Sequence, residues 1–169
     1  MAQDASIQTS RSRPGLSSGP SMWSGALIGI GIAGFLDEAV FHQILHWHHF
    51  YDKSTPTVGL VSDGLFHAFS WFAVVGGLFW FAALRRGGAW WRRRWWAGLC
   101  FGLGGFQLYD GTIQHKLLGL HQIRYQVTIW PYDLTWDVVA VIALLIGAVL
   151  LSHARTPSPR PSGRPGRPR

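Results

Sequence analysis

Four apolar stretches, each long enough to cross a lipid bilayer, constrain this chain more than any other feature. They run from about Met22 to His49, Val58 to Leu84, Trp95 to Leu118 and Asp133 to His153. Crossing about 30 Å of hydrocarbon takes roughly 20 helical residues. A transmembrane strand would alternate in polarity over about 10 residues, and none of these stretches alternates. Backbone in lipid must satisfy its own hydrogen bonds, which leaves helices. The expectation is an all-α integral membrane four-helix bundle. Only 14% of the residues are charged, well under the quarter typical of soluble domains. The ten tryptophans suit membrane interfaces, where the ring is apolar and its N–H is wet.

The segments outside the spans are different in kind. Residues 1–21 are rich in Ser, Gly and Pro, and 154–169 in Arg and Pro. Such composition predicts disordered tails around a transmembrane domain at 22–153. No apolar run follows Met1 closely, so no cleaved signal peptide is expected. The formal charge of +7 would fit a nucleic-acid binder, but the basic residues flank apolar runs as they do in membrane proteins. Contact with lipid is therefore expected and nucleic acid is not. Cys100 stands alone, which excludes an intrachain disulfide and a CxxC metal motif.

Lysine and arginine give the orientation. The N-terminal tail, the second loop and the C-terminal tail carry twelve of them, whereas Lys53, Lys116 and Arg124 are the three on the other side. By the positive-inside rule both termini are cytoplasmic. Gly25-x3-Gly29 and Gly98-x3-Gly102 have the small-residue spacing that lets helices approach closely, although ordinary glycine usage in membrane helices would give the same pattern.

The polar residues follow the opposite asymmetry. Of the eight acids only Asp4, and of the eight histidines only His153, lies outside the extracytoplasmic half. Counting helical rise from the cytoplasmic boundaries puts Glu38, His67, Asp110 and Asp137 at roughly 21–25 Å, one from each helix in one layer. Ionisable groups at such depth cost a few kcal/mol and face a bundle interior or watery cavity. Spacings of four place Glu38, His42 and His46 on one face, and likewise Asp63 with His67, Asp110 with Gln114, and Asp133 with Asp137.

This layer has three readings. The first is a metal site, since four-helix bundles hold ions with inward carboxylates and histidines. Glu38, His42, His67, Asp110 and Asp137 would be the ligands. Asp37, His46, Asp63, Gln114, His115, His121, Arg124 and Asp133 would surround and orient them. The mixed O/N set suits divalent Zn, Fe, Mn or Cu(II), and suits Cu(I) poorly for want of sulfur ligands. One ion or two are both compatible with the span of the donors, and a metal-bound water beside a carboxylate base would make the site catalytic. The second reading is haem, with His42 and His67 as axial pair. The third is a polar network or proton relay without metal; but carboxylates crowded together without Lys or Arg repel unless protonated or neutralised by a cation.

The run His42-x3-His46-x-His48-His49 superficially resembles the histidine boxes of membrane desaturases. Those enzymes carry several boxes on the cytoplasmic side, and this chain has one, facing outward. His48 and His49 are expected at the membrane interface or in the first loop, as ordinary solvated histidines. The segment His115–Tyr125 is either a lid over the layer, with Lys116 or Arg124 offsetting carboxylate charge, or an interfacial turn anchored by Tyr125, Trp130 and Tyr132.

The strings GFLDEAVFHQILHWHH, SDGLFHAFSW, GGFQLYDGTIQHKLLGLHQIR and YDLTWD together resemble the bacterial membrane proteins grouped as domain of unknown function 2243, from about Gly25 to Leu151. The resemblance implies a bacterial inner-membrane protein of about four helices and supplies no activity. Members of that group tend to accompany cytochrome oxidase assembly factors, so the resemblance implies metal handling near respiration and respiratory oxidase assembly proteins as partners.

Overall fold

The computed structural model describes residues 18–154. The expected disordered tails fall almost wholly outside the described residues. Within them the chain forms four helices and no strand: α1 (Gly19–Asp37), α2 (Pro56–Arg86), α3 (Arg92–Tyr109) and α4 (Trp130–Ser152). At its C-terminal end α1 widens into a π-helical segment, Glu38–Ile44, and α3 does the same at Asp110–Leu117. Three of the helices, Gly19–Ile44, Pro56–Arg86 and Trp130–Ser152, are long and apolar enough on their own to cross a membrane. The fourth, α3, begins with Arg92, Arg93 and Arg94. The first apolar stretch does not continue as helix to His49; it stops at Ile44, and the chain turns back over the bundle.

The exterior is that of a protein solvated by lipid. Leu65, Phe72 and Phe79 on α2 and Val139, Leu145 and Val149 on α4 are exposed, whereas Ser21, Ser24, Glu38, His42, Asp63, Ser70 and Asp110 are buried. Apolar surface on this scale is far beyond what a water-soluble monomer presents.

α1 and α3 run side by side at the centre, with α2 packed on α1 and α4 on α3. The central pair is in backbone contact through the two glycine pairs. A Cβ on Gly25 would overlap the Trp95 carbonyl and lie 2.9 Å from Leu99 N; one on Gly98 would overlap the Met22 carbonyl and lie 2.9 Å from Met22 Cα. Gly29 meets Leu99 and Leu103 in the same manner, and Gly102 meets Ala26. The spacing thus serves the close approach that small residues permit. At the arginine-bearing end, Ser24 Oγ donates to the Gly77 carbonyl at 3.1 Å, and Ser21 Oγ accepts from Trp91 N–H at 3.0 Å.

These contacts are reciprocal, and the reciprocity extends through the chain. Met22, Gly25, Ala26 and Gly29 correspond to Trp95, Gly98, Leu99 and Gly102, each 73 positions later. Gly31 packs on Ser70 and Val74 of α2 as Gly104 packs on Ala140 and Leu144 of α4. On the outer helices the offset is 70 positions, because the chain from His121 to Trp136 is three residues shorter than that from His48 to Phe66. The molecule is therefore two similar helical hairpins, α1–α2 and α3–α4, joined through α1 and α3 about an approximate twofold axis.

A candidate metal centre between the two hairpins

The same pattern spans each π-helical segment and the turn after it. Asp37-x4-His42-x5-His48 in the first hairpin recurs as Asp110-x4-His115-x5-His121 in the second. In an α-helix, residues five apart point roughly 140° away from each other. The wider π turn removes much of that divergence, which is one reason such turns accompany functional sites. His42 Nε2 lies 3.8 Å from Asp37 Oδ2, and His115 Nε2 lies 3.1 Å from Asp110 Oδ2.

The helices then end by one and the same device. Leu45 N–H donates to Val40 O at 2.9 Å and Trp47 N–H to Phe41 O at 2.9 Å; Leu118 N–H donates to Ile113 O at 2.8 Å and Leu120 N–H to Gln114 O at 2.9 Å. Between these bonds sits a left-handed residue, His46 at φ 50° in the first hairpin and Gly119 at φ 55° in the second. This is a widened relative of the glycine C-cap. It reverses the chain so that the third residue of each triad, His48 or His121, lies buried against the bundle.

A backbone carbonyl of the opposite hairpin orients each of these two histidines. His48 Nδ1 is 2.9 Å from Ile123 O, and His121 Nδ1 is 2.9 Å from Phe50 O. A carbonyl only accepts, so each Nδ1 carries the proton and each Nε2 presents a lone pair. The carbonyls sit two residues beyond the corresponding histidine of the other half, so the two loops hold each other. The two rings stack, with centroids 4.6 Å apart and planes 5° apart. Burial pushes His48 down to about 2, helped by the neighbouring His121, His42 and His115. Burial also pushes His121 down to about 4, against the pull of Asp110. Both rings are neutral at pH 7, as a metal-ligating imidazole must be.

The donors converge. His115 Nε2 and His121 Nε2 are 2.9 Å apart, and His121 Nε2 is 3.7 Å from Asp110 Oδ1. Ligand atoms of His48, His115 and His121 lie within 4.8 Å of one another, as do those of Asp37, His42 and His48. Two ligand atoms at about 2.1 Å from one ion and at right angles are about 3.0 Å apart, close to the 3.1 and 2.9 Å that separate His115 Nε2 from Asp110 Oδ2 and His121 Nε2. Buried Asp37 Oδ1, His42 Nε2, His48 Nε2 and Asp110 Oδ2 have no hydrogen-bond partner. Each such atom costs about 1–3 kcal/mol if nothing satisfies it. An oxygen and imidazole set with four orphaned donor atoms fits a transition-metal ion.

Outside this set the two halves differ. Glu38 Oε2 and Asp63 Oδ1 approach His42 Nδ1 at 2.7 and 3.2 Å. Asp63 also accepts from Phe50 N–H at 2.7 Å and contacts His49 Nδ1 at 2.6 Å. It therefore fixes the loop whose Phe50 carbonyl orients His121. The second hairpin has Gly111 where the first has Glu38. No Lys or Arg forms an ion pair with the acids of the cluster among the described residues.

Several residues expected in the site are elsewhere. His67 is exposed and rests against Phe35, with ring centroids 5.4 Å apart. It faces away from the cluster, so the expected His42–His67 haem pair does not form. Asp137 pairs with Lys116 at 2.8 Å on the rim. Their depth along the helices is right and their azimuth is not: α2 turns Asp63 and Phe66 inward, and α4 turns Trp136. His46 is exposed at the left-handed turn, and Asp133 is half-buried away from the cluster. Arg124 lies over the Trp47 ring at 4.7 Å and donates to Tyr132 Oη at 2.7 Å, away from the carboxylates. Gln114 is buried beside the centre, where the first hairpin has Phe41. His48, expected to be solvated, is one of the converging residues. Spacing of four within an α-helix concealed its role, and the doubled Asp-x4-His-x5-His pattern is the signal that reveals it.

The architecture defines a helical membrane protein with a buried cluster of aspartates and histidines between two similar halves. The chain belongs to the family described as "predicted membrane protein (DUF2243)", whose model matches residues 24–154. No curated protein and no solved structure matches it.

Proposed function

We propose that the chain is a transition-metal-binding membrane protein whose centre forms between the two hairpins. Asp110, His115 and His121 hold one ion with His48 from the other half, and Asp37 and His42 stand ready for a second ion or for the rest of the coordination sphere. Glu38 and Asp63 act on the Nδ1 side of His42, the position from which carboxylates orient a metal-bound imidazole. The observation that carries this reading is the convergence of buried Nε2 and carboxylate oxygen atoms from both halves, four of which have no hydrogen-bond partner. Nitrogen and oxygen donors without sulfur favour Zn, Fe, Mn or Cu(II). The lysine and arginine distribution supports an extracytoplasmic position for the centre in a bacterial inner membrane. Metal handling during respiratory oxidase assembly, implied by the family resemblance, is compatible with a centre on that side, and a metal-dependent enzyme is the alternative use.

Cobalt(II) tests the reading spectroscopically. Protein stripped with chelator should develop visible d–d bands on Co(II) titration, saturating at one or two equivalents and displaced by Zn(II). The His115→Ala variant should lose them. A spectrum indistinguishable from aqueous Co(II) would sink the proposal.

A further inference from the structure

Beside the proposed centre, a cavity of about 690 Å³ opens between α1, α3 and α4. Its size is that of a site for an ordinary organic ligand. Leu36 and Val139 on its walls are both 53% exposed on the lipid-facing surface. The walls are mainly aliphatic and aromatic, with Asp37, Gln107, Tyr132 and Thr135 as the residues that bear polar groups. Asp37 is 3% exposed; its Oδ1 is fully buried, and its Oδ2 lies 3.8 Å from His42 Nε2. The Gln107 backbone carbonyl is already engaged by Trp136 Nε1–H at 3.1 Å.

The twofold relation provides an internal control. The equivalent hollow in the other half has a volume of about 420 Å³. Thr135, Trp136 and Val139 of the first correspond to Leu65, Phe66 and Phe69 of the second. Where the large cavity has Ala33 and Ile123, the small one has Phe106 and Phe50. Those two rings lie against Phe66, with centroids 5.8 and 4.7 Å away, and fill the space. The two halves share a plan, and one of them has small residues where the other has aromatic plugs.

From these observations we propose that the large cavity binds a membrane-soluble molecule with a long apolar chain and a hydroxyl head, the chain entering from the lipid and the hydroxyl donating to the Asp37 carboxylate. Placing the hydroxyl beside an ion rests on the metal-centre reading; binding of the chain does not. An apolar groove that reaches a buried carboxylate favours a chain whose head carries a hydroxyl donor over one with no donor, which would leave the carboxylate unsatisfied.

The test uses full-length protein in lipid nanodiscs with a hexadecanol carrying a diazirine in its chain, photolysed and mapped by mass spectrometry. Cross-links should concentrate on the peptides containing Ala33 and Val139, about tenfold above those on lipid-facing Leu78–Trp80, and excess hexadecanol should remove them. Ala33→Phe, which copies Phe106 of the other half, should reduce them about tenfold while bound metal stays at the wild-type level. Val139→Phe, which copies Phe69, should do the same and serves if the first variant does not fold. Even labelling over all lipid-facing helices, or labelling unaffected by both plugs, overturns the proposal. Metal content measured on the same samples separates the two readings: groove labelling in a protein that binds no metal refutes the centre alone, and even labelling in a metal-loaded protein refutes the groove alone.

Discussion

Substituting Gly102 by alanine adds a single methyl group where α1 and α3 touch through their backbones. That methyl would overlap the Ala26 carbonyl oxygen and lie 2.9 Å from both the carbonyl carbon and Cα of Ala26. Ordinary contact begins near 3.4 Å, and these neighbours are backbone, so no rotamer change relieves the overlap. The helices must separate by roughly an ångström, and the expected cost is about 2–3 kcal/mol, the upper part of the range for overpacking. Gly105, three residues on, has nothing within 4 Å of an added Cβ. Gly105→Ala should therefore gain up to about 1 kcal/mol from helix propensity. Thermal unfolding in detergent, followed by circular dichroism, reads both. For a chain of this size the Gly102 variant should melt roughly 5–10 °C lower and the Gly105 variant slightly higher. The separation would also draw the Asp110 segment from the Asp37 segment, so metal affinity should fall with Tm in the first variant only. Equal melting temperatures for the two variants would refute the close α1–α3 contact.

Three further outcomes follow from the site and its rim. His46→Gly removes a non-glycine residue from φ 50° and should raise stability by about 1 kcal/mol; Gly119→Ala, at φ 55°, should lower it by about 1 kcal/mol, both read by denaturant unfolding in detergent. Asp63→Asn should loosen the loop carrying His48 and Phe50, weakening metal binding about 10–100-fold in competition with a chromophoric chelator while saturation is still reached at high metal. Asp137→Asn breaks a half-exposed pair with Lys116 and should cost about 1 kcal/mol or less, with metal stoichiometry unchanged by elemental analysis.

The helical membrane character and the gathering of acids and histidines toward one end were legible in the sequence because hydropathy and rise per residue depend on position alone. Which side chains meet depends on azimuth, and there the assumption of a regular 3.6-residue turn misled. It grouped Asp110 with Gln114, whereas the π-helical widening brings Asp110 to His115. It also placed His67 and Asp137 in the inward layer on depth, although α2 turns His67 outward and α4 leaves Asp137 at the rim beside Lys116. The loops were read as solvated connections because a histidine-rich run after a helix is commonly that. Here two widened caps fold the loops inward, and the cross-bonds from His48 to Ile123 and from His121 to Phe50 join residues that no local pattern links. The repeated Asp-x4-His-x5-His pattern was present in the sequence throughout, but an offset of 73 positions with little other identity is hard to recognise until the mirrored glycine contacts show which residues correspond.

Elemental analysis of the detergent-purified protein, expressed with several metals supplied in turn, reads directly whether the buried cluster holds metal. One or two equivalents of a transition metal are expected in the wild type and in His67→Ala, whose side chain faces away from the cluster. Loss of that metal is expected in His121→Ala and in Asp110→Asn. No stoichiometric metal in the wild type under any supply, or loss in His67→Ala with retention in His121→Ala, would contradict a centre between the two hairpins.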